Sequence, residues 1–365
     1  MQSLNGTVGV AVNSISGYAA INKTNVSGSS ITVTALMDGD ATVRAYAITI
    51  SGANAIGIVI AIAIIESDNR ALIDTTGSSI IGGAISVLAG GESGGYDSKA
   101  YVDVKTATLA ASTVALNVGL TINRAGNRAI VQGSSGSMNA SGLIITARGI
   151  SQADTLIQGV NAGLIAIAMS VGIALLNSTQ EAILQGGASY TLGALTVRSY
   201  QNTDQTDDYD AVANIFAGGG GLLSATAFIT VATANATGIA SAGAASLTVT
   251  GEIIIESYGR SNAGVIIQKA NIAGVSVGIM VGIAYAKGTF GAYLGSDSAV
   301  INTAGVTIYT EYTGYAKADI NPSTGGFNVN LVAISGNVGV AEVNTIAHAG
   351  IRGTGSVSST KKISV

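Results

Sequence analysis

A three-residue motif recurs along the whole chain. Its first residue is small and is Ala in six of the seven copies, and its third residue is usually aliphatic. The first residues of the seven copies are Ala19, Ala71, Ala129, Ala182, Gly238, Ala292 and Ala349. Their mean spacing is about 55 residues, and a Gly stands ten residues before the motif in five copies. A period of this length is typical of stacked repeats, because a single unit cannot bury its own apolar face.

A second segment with strict alternation follows each motif. In one copy, Ile31-Thr32-Val33-Thr34-Ala35, apolar residues alternate with Thr. Successive side chains of a β-strand point to opposite faces, so a period of two predicts a strand with one buried face. Stretches of varying length and polarity come next, such as residues 90–98 and 200–208. We expect these insertions to gather at one corner of the stack.

The longest periodic segment precedes the motif and alternates large with small residues. In residues 164–175 the odd positions hold Ile, Met, Val or Leu, whereas most even positions hold Ala, Ser or Gly. This pattern predicts a strand of about a dozen residues, roughly 40 Å long. We expect the small-residue face to be covered, either by the same chain or by a neighbouring molecule. The alternation changes phase between Leu331 and Val338, which predicts a β-bulge.

These patterns predict an all-β fold, specifically a parallel β-solenoid, or wide-coil β-helix, of about seven imperfect repeats. Residues 1–365 would form one repeat domain and a fragment of a longer array, because the chain opens without a signal segment. The content of 50 Gly and one Pro, Pro322, agrees with many turns and few interrupted ladders. A single coil per repeat gives a rise of about 4.8 Å, and two coils would double it.

One stretch of the repeat shows a family resemblance. It combines Val118-Gly119-Leu120, Arg128-Ala129-Ile130-Val131 and Leu143-Ile144-Ile145-Thr146-Ala147. This arrangement resembles the repeats of large leukotoxin-type and filamentous-haemagglutinin-like surface proteins of bacteria. The resemblance implies a secreted or surface-displayed fibrous protein, often an adhesin. The shared positions are structural, so no functional residue follows from it, and Phe228 departs from the pattern where most copies have Gly.

The amino-acid composition limits which functional classes the chain can belong to. The chain has 16 Lys and Arg against 20 Asp and Glu, is 48 % hydrophobic and has no Cys. This balance excludes disorder, a disulfide-stapled fold and nucleic-acid binding. The single His348 precedes the last motif, where an outward strand residue is expected, and one His cannot build a multi-His metal site. We therefore predict no enzyme, no catalytic residue and no cofactor, and a melting temperature insensitive to chelator or a mild pH change.

Three features stay open as binding sites. Asp204, Asp207, Asp208 and Asp210 could collect Ca²⁺, although acidic loops are more often simply solvated. The Gly-rich residues 90–97 faintly resemble calcium-binding repeats of β-rolls. Tyr309, Tyr312 and Tyr315 could form an exposed aromatic cluster or pack ordinarily along the repeat edge.

The sequence as a whole predicts a structural or adhesive segment of a large extracellular bacterial fibrous protein. It would be a rigid spacer, displayed on the cell surface or secreted, that associates laterally with itself or contacts a host or neighbouring-cell surface. The first alternative is a carbohydrate-active enzyme or carbohydrate-binding β-helix. The second is an integral membrane protein, suggested by two apolar runs at residues 156–176 and 263–286. Asn, Gln and Lys within those runs argue against membrane insertion.

Overall fold

A computed structural model describes residues 2–91, 98–321 and 329–365, and these residues are almost entirely strand, with no helix among them. The strands are β1 (Gln2–Asn22), β2 (Val26–Ala35), β3 (Gly39–Ile50), β4 (Asn54–Asp74), β5 (Ser79–Gly90), β6 (Ser98–Leu109), β7 (Ser112–Gly133), β8 (Ser137–Gly149), β9 (Ser151–Ala162), β10 (Ile165–Leu192), β11 (Leu195–Gln201), β12 (Ala211–Leu294), β13 (Val300–Asn321), β14 (Val329–Ile351), β15 (Ser356–Ser359) and β16 (Ile363–Ser364). The chain is thus all-β, as predicted.

The strand pairings that the structure describes are parallel, and each joins a strand to its equivalent one repeat along the chain. Ala71 of β4 lies beside Ala19 of β1 on one side and beside Ala129 of β7 on the other. Ala129 in turn lies beside Ala182 of β10. Equivalent motifs are therefore direct neighbours in a parallel sheet, with no other strand between them.

The fifth motif lies two residues further along than the sequence pattern indicated. Ala182 pairs with Ala240, so Gly238 is not its structural equivalent. For the same reason Gly172 faces Thr230, and Phe228 lies beside Ser170. A shift of two residues leaves every side chain on its original face, so an alternating pattern cannot detect the error.

Two further expectations about strands are wrong. The strand that precedes the motif is longer than the predicted dozen residues, because β4 runs unbroken through the motif from Asn54 to Asp74. The predicted bulge before Val338 is absent from the described part of β14, where Val332 to Ile351 pair with Val275 to Leu294 in constant register. Gly336 occupies one outward position between aliphatic residues, so no extra residue is needed to keep them on one face. Register shifts instead lie between Gly186 and Ser189 and between Val249 and Glu252.

The long strands form one wall, and two columns of shorter strands form the wall opposite it. The second half of each long strand packs against β2, β5, β8 and β11 in one apolar cluster, which includes Ile73, Val87 and Leu143. The first half packs against β3, β6 and β9 in a second cluster, which includes Ala61 and Val104. The core is therefore divided along the length of the long strands.

Small residues line the inner face of the long strands in the second cluster. A Cβ atom on Gly119 would lie 2.7 Å from Thr155 Cγ2 of the opposite wall, and one on Gly9 would lie 2.7 Å from Val43 Cγ1. In these two copies, the Gly that precedes the motif thus lies where the opposite wall leaves no room for a larger side chain. Ser170 is 0 % exposed on this face. The prediction that the small-residue face is covered is confirmed, and the chain itself covers it.

Buried amides bridge the junction between the two clusters. Asn69 donates from Nδ2 to the carbonyl oxygen of Ala35 at 2.7 Å and to Asn127 Oδ1 at 3.2 Å. Asn123 donates to the carbonyl oxygens of Ser98 at 3.0 Å and Gln152 at 2.8 Å. Buried backbone carbonyl groups at the junction between the two columns of strands need hydrogen-bond donors, and these side-chain amides supply them.

Candidate binding surfaces

The acidic segment between β11 and β12 is organised around one arginine. Asp210 is 0 % exposed and accepts hydrogen bonds from Arg260 Nη2 and from the backbone N–H of Asn262, both at 2.7 Å. Arg260 also donates to the carbonyl oxygen of Asp207 at 2.7 Å and to that of Gln205 at 3.1 Å. A guanidinium group, with its five donors, therefore holds this segment against the neighbouring repeat.

The other acidic side chains of this segment have separate partners. Asp204 forms an ion pair with Arg148, and Asp207 accepts a hydrogen bond from Gln152 Nε2 at 3.1 Å. The carbonyl oxygen of Asp208 accepts one from Asn262. Within the part of the chain that the structure describes, no three acidic or histidine side chains are grouped closely enough to hold a metal ion. Most of the Gly-rich candidate, residues 92–97, lies outside the described residues.

Two carboxyl groups in this region have raised pKa values. Burial raises the pKa of Asp210 to about 6, against the opposing effect of Arg260. Burial raises the pKa of Asp154 to about 7, and the neighbouring charge of Lys99, with Nζ 3.7 Å from Oδ2, opposes that rise. Asp207 and Asp210 nearby add to the increase. Sequence reasoning missed Asp154, because a single Asp in an alternating strand gives no sign of which groups the fold brings beside it.

A tyrosine ladder crosses three repeats beside the acidic segment. The rings of Tyr200 and Tyr258 stack with centroids 5.4 Å apart, and Tyr309 follows at 5.5 Å from Tyr258. An adjacent groove of about 290 Å³ is lined by Asn202, Thr203, Tyr258, Gly259, Arg260, Glu311 and Thr313. Its polar lining offers both donors and acceptors to a polar ligand.

The three tyrosines singled out in the sequence do not form one cluster. Tyr309 contacts Tyr258, Tyr312 packs 4.8 Å from the buried ring of Phe290, and Tyr315 stacks on Tyr209. Each ring thus has its own aromatic partner, which fits the alternative of ordinary packing along the repeat edge.

His348 lies in β14 and is exposed, as predicted for an outward strand residue. Its carbonyl oxygen accepts a hydrogen bond from Thr310 Oγ1 at 3.0 Å.

A larger groove crosses the outer face of the shorter strands. Its volume is about 540 Å³, and its lining includes Tyr46 and Ile48 of β3, Lys105 of β6, Val160 of β9 and Phe216 of β12. Lys105 Nζ lies 5.5 Å from the centre of the Tyr46 ring. Aromatic rings beside an amine can contact flat or anionic ligands. No sequence pattern predicted this groove, because its residues come from four repeats.

No family model matches the chain, and comparisons with curated proteins and with solved structures found no match. Among the residues that the structure describes, no helix is both long enough and apolar enough to span a bilayer.

Proposed function

We propose that this chain is a stretch of parallel β-solenoid, one coil per repeat, that acts as a rigid spacer in a large extracellular bacterial fibrous protein. The observation that carries the proposal is the parallel register between equivalent strands, which connects β1, β4, β7 and β10 and continues into β12. The shorter strands repeat the same order, as in β3, β6 and β9. The resemblance to bacterial surface repeats supports the extracellular setting.

The register explains why such a chain would be rigid. Strands in the interior of the stack have hydrogen-bonded partners on both sides, so bending the stack requires many ladder bonds to distort together. Each repeat would add about 4.8 Å to the length, whereas a long strand of 21 residues spans up to about 70 Å across. The segment would therefore be a broad slab rather than a thin rod.

Small-angle X-ray scattering of the purified chain tests this architecture. One coil per repeat predicts about 34 Å along the axis for seven repeats and a width of about 60 to 70 Å for each copy. Two narrower coils per repeat would double the axial length and reduce the width. A particle with that shape, or one with substantial helical circular dichroism, would contradict the proposal.

The groove over β3, β6, β9 and β12 is the surface that we assign to adhesion. Tyr46 and Phe216 expose aromatic surface there, and Lys105 adds positive charge. The partner would be a host or neighbouring-cell surface. We expect beads coated with the chain to adhere to cultured animal or bacterial cells, and the double variant Tyr46→Ala and Phe216→Ala to adhere less. Ile144→Ala, an exposed position outside the groove, is the matched control. Equal adhesion by all three proteins would remove the groove from the proposal.

A further inference from the structure

The first halves of the long strands turn their large side chains outward and so build an aliphatic face. We define this face as five alternate positions in each of seven strand segments: residues 4–12 of β1, 56–64 of β4, 114–122 of β7, 167–175 of β10, 225–233 and 277–285 of β12, and 334–342 of β14. Its side chains are partly exposed, with Ile167 at 44 %, Ile279 at 56 % and Val10 at 59 %.

The register aligns these side chains into continuous rows. Val8 pairs with Ile60, Ile60 with Val118, and Val118 with Val171. Val171 then pairs with Ile229, and Val281 pairs with Val338. The two segments of β12 lie side by side, because Thr230 Oγ1 donates to the carbonyl oxygen of Val281 at 3.3 Å. The rows therefore cross all seven segments.

The chemistry of this face is unusually uniform. Of its 35 positions, only Thr233, Tyr285 and Glu342 carry a polar side-chain atom, and Glu342 is the one charge. Seven strands about 4.8 Å apart and five positions about 6.7 Å apart cover on the order of 800 Å². The largest apolar patch on an ordinary monomer is about 300 to 600 Å².

The face ends abruptly at a polar border along the same strands. The next outward row holds Ser14, Glu66, Arg124, Asn177, Asn235, Lys287 and Asn344. Glu66 and Arg124 form an ion pair at 2.6 Å. The outer face of the opposite wall is also mixed, with Arg44, Tyr46 and Lys105 at outward positions. Among the described residues, the aliphatic face is therefore bounded by polar side chains on this side and differs in composition from the outer face of the opposite wall.

We propose that the aliphatic face binds the same face of a second copy of this chain, a contact that rests on the proposed spacer function and assigns a surface to the lateral association expected from the sequence. An area of about 800 Å² for each partner equals that of a standard stable protein interface. Nearly uncharged sheet faces with aliphatic ridges can pack about 10 Å apart, and a face with one charge meets itself without general repulsion. The result is a two-fold contact in which the same residues appear on both sides.

The border argues against an anionic membrane as the partner. Stable attachment to anionic lipid generally uses a cluster of basic side chains beside the apolar surface. The border row has Arg124 and Lys287 in different repeats, and Arg124 is already paired with Glu66. A sheet face that is seven strands wide likewise suits another sheet better than a single inserted peptide.

Sedimentation velocity of the purified chain tests the proposal. We expect a dimer of twice 35.9 kDa, and a Val171→Lys variant whose dimer dissociation constant is raised more than tenfold. Val171 is the central position of the face. Ile144→Lys, at an exposed aliphatic position on the opposite wall and outside the groove, is the matched control and should dimerise normally. A wild-type monomer at 100 µM, or undiminished dimerisation of Val171→Lys with normal circular dichroism, would overturn the proposal.

A second variant guards against misfolding. The chain has no Cys, so Val171→Cys introduces a single thiol at the centre of the face. In a two-fold contact this thiol lies near the same thiol of the partner copy, and mild oxidation should yield a disulfide-linked dimer, whereas Ile144→Cys should not. A dimeric protein without Val171→Cys cross-linking would place the interface elsewhere and overturn the proposal.

Flotation with neutral and with anionic phospholipid vesicles tests the remaining alternative, in which the aliphatic face binds a membrane. A monomeric chain that floats with vesicles, and loses this property in Val171→Lys, would assign the face to a membrane and overturn the second-copy proposal. Scattering from the monomeric Val171→Lys variant then reports on the spacer function independently. A slab of the expected width would support the spacer function, whereas a different shape would contradict both the spacer function and the second-copy proposal.

Discussion

At the residue scale, the large ring of Phe290 fills part of the core at a position where several repeats have small residues. Phe290 is fully buried, and it fills the space beside Gly238, Gly259 and Gly288. A Cβ atom on Gly238 would lie 2.5 Å from Phe290 Cδ1. Gly238 and Gly259 thus leave space for the ring of the next repeat, and a substitution at either glycine should change the packing of Phe290.

The variant Gly259→Ala tests this fit. Its Cβ atom would overlap the Phe290 ring, so the free energy of unfolding should fall by about 1 to 3 kcal/mol. Gly350→Ala, a strand position in β14 with no atom within 4 Å, should change stability little. Urea unfolding measures both. Adding Phe290→Leu should recover part of the loss, because the smaller side chain vacates the overlap. Additive losses would show that the two residues do not interact.

Asp154 should give the chain a specific pH dependence that the sequence did not predict. Its pKa in the folded state is about 7, above the ordinary value of 3.8, so between these values the folded chain binds more protons than the unfolded chain. Stability should therefore fall as the pH rises from about 4 to about 7. Asp154→Asn should reduce that slope in denaturant titrations and leave the smaller contribution of Asp210, whose pKa is raised to about 6, whereas the exposed Asp38→Asn should preserve the whole slope. An unchanged slope in Asp154→Asn would refute this assignment.

At the element scale, the long strand combines two surfaces with opposite roles. Its small residues face the opposite wall and allow close approach, whereas its large residues form the aliphatic face. Ser170 and Val171 are adjacent in β10, yet Ser170 accepts a hydrogen bond from Asn117 Nδ2 inside the core and Val171 points outward. The strand therefore tolerates different substitutions at successive positions.

The variant Ser170→Arg tests the inner surface. A long cation would replace a fully buried hydroxymethyl group with no acidic partner prepared for it, so the free energy of unfolding should fall by more than about 3 kcal/mol. Ser276→Arg should behave similarly, since Ser276 is also buried. Ser14→Arg, on an exposed outward position beside Glu66, should be tolerated. Thermal melts that show normal stability in both core variants would mean that the inner face is open.

At the scale of the whole molecule, two apolar clusters and parallel ladders extend from repeat to repeat. Ion pairs join neighbouring repeats at the surface, as between Arg198 and Glu256 at 2.7 Å. Surface pairs of this kind contribute little, about 0 to 1 kcal/mol each. The stability of the molecule should therefore depend mainly on apolar burial and only weakly on bound ions.

Removal of divalent ions tests this expectation. The carboxyl groups of Asp204 and Asp210 are paired with Arg148 and Arg260, so EDTA should change the melting temperature by less than about 1 °C. Differential scanning calorimetry with and without added Ca²⁺ measures the effect. A loss of several degrees that Ca²⁺ reverses would instead make the segment from Asp204 to Asp210 a calcium site.

The period of the motif and the alternation of side chains are local properties, and they were enough to predict strands that pair in parallel with their equivalents. Ala71 and Ala129, assigned as equivalents from spacing, are neighbours in the sheet. Because the alternation is local, it also explains why Gly238 was wrongly assigned as the fifth motif. A pairing that is shifted by two residues leaves every side chain on the same face. The acidic segment was visible in the sequence, but its partners Arg148 and Arg260 lie in other repeats.

Only the tertiary structure decided that the same chain covers the small-residue face of the long strand and that the large-residue face lies outside. Alternation of large and small residues predicts that the small face is covered, but a neighbouring molecule would satisfy the same pattern. The opposite wall selects the small face, because Val43 and Thr155 already occupy the space that larger inward residues would need at Gly9 and Gly119. The aliphatic residues are consequently left outside.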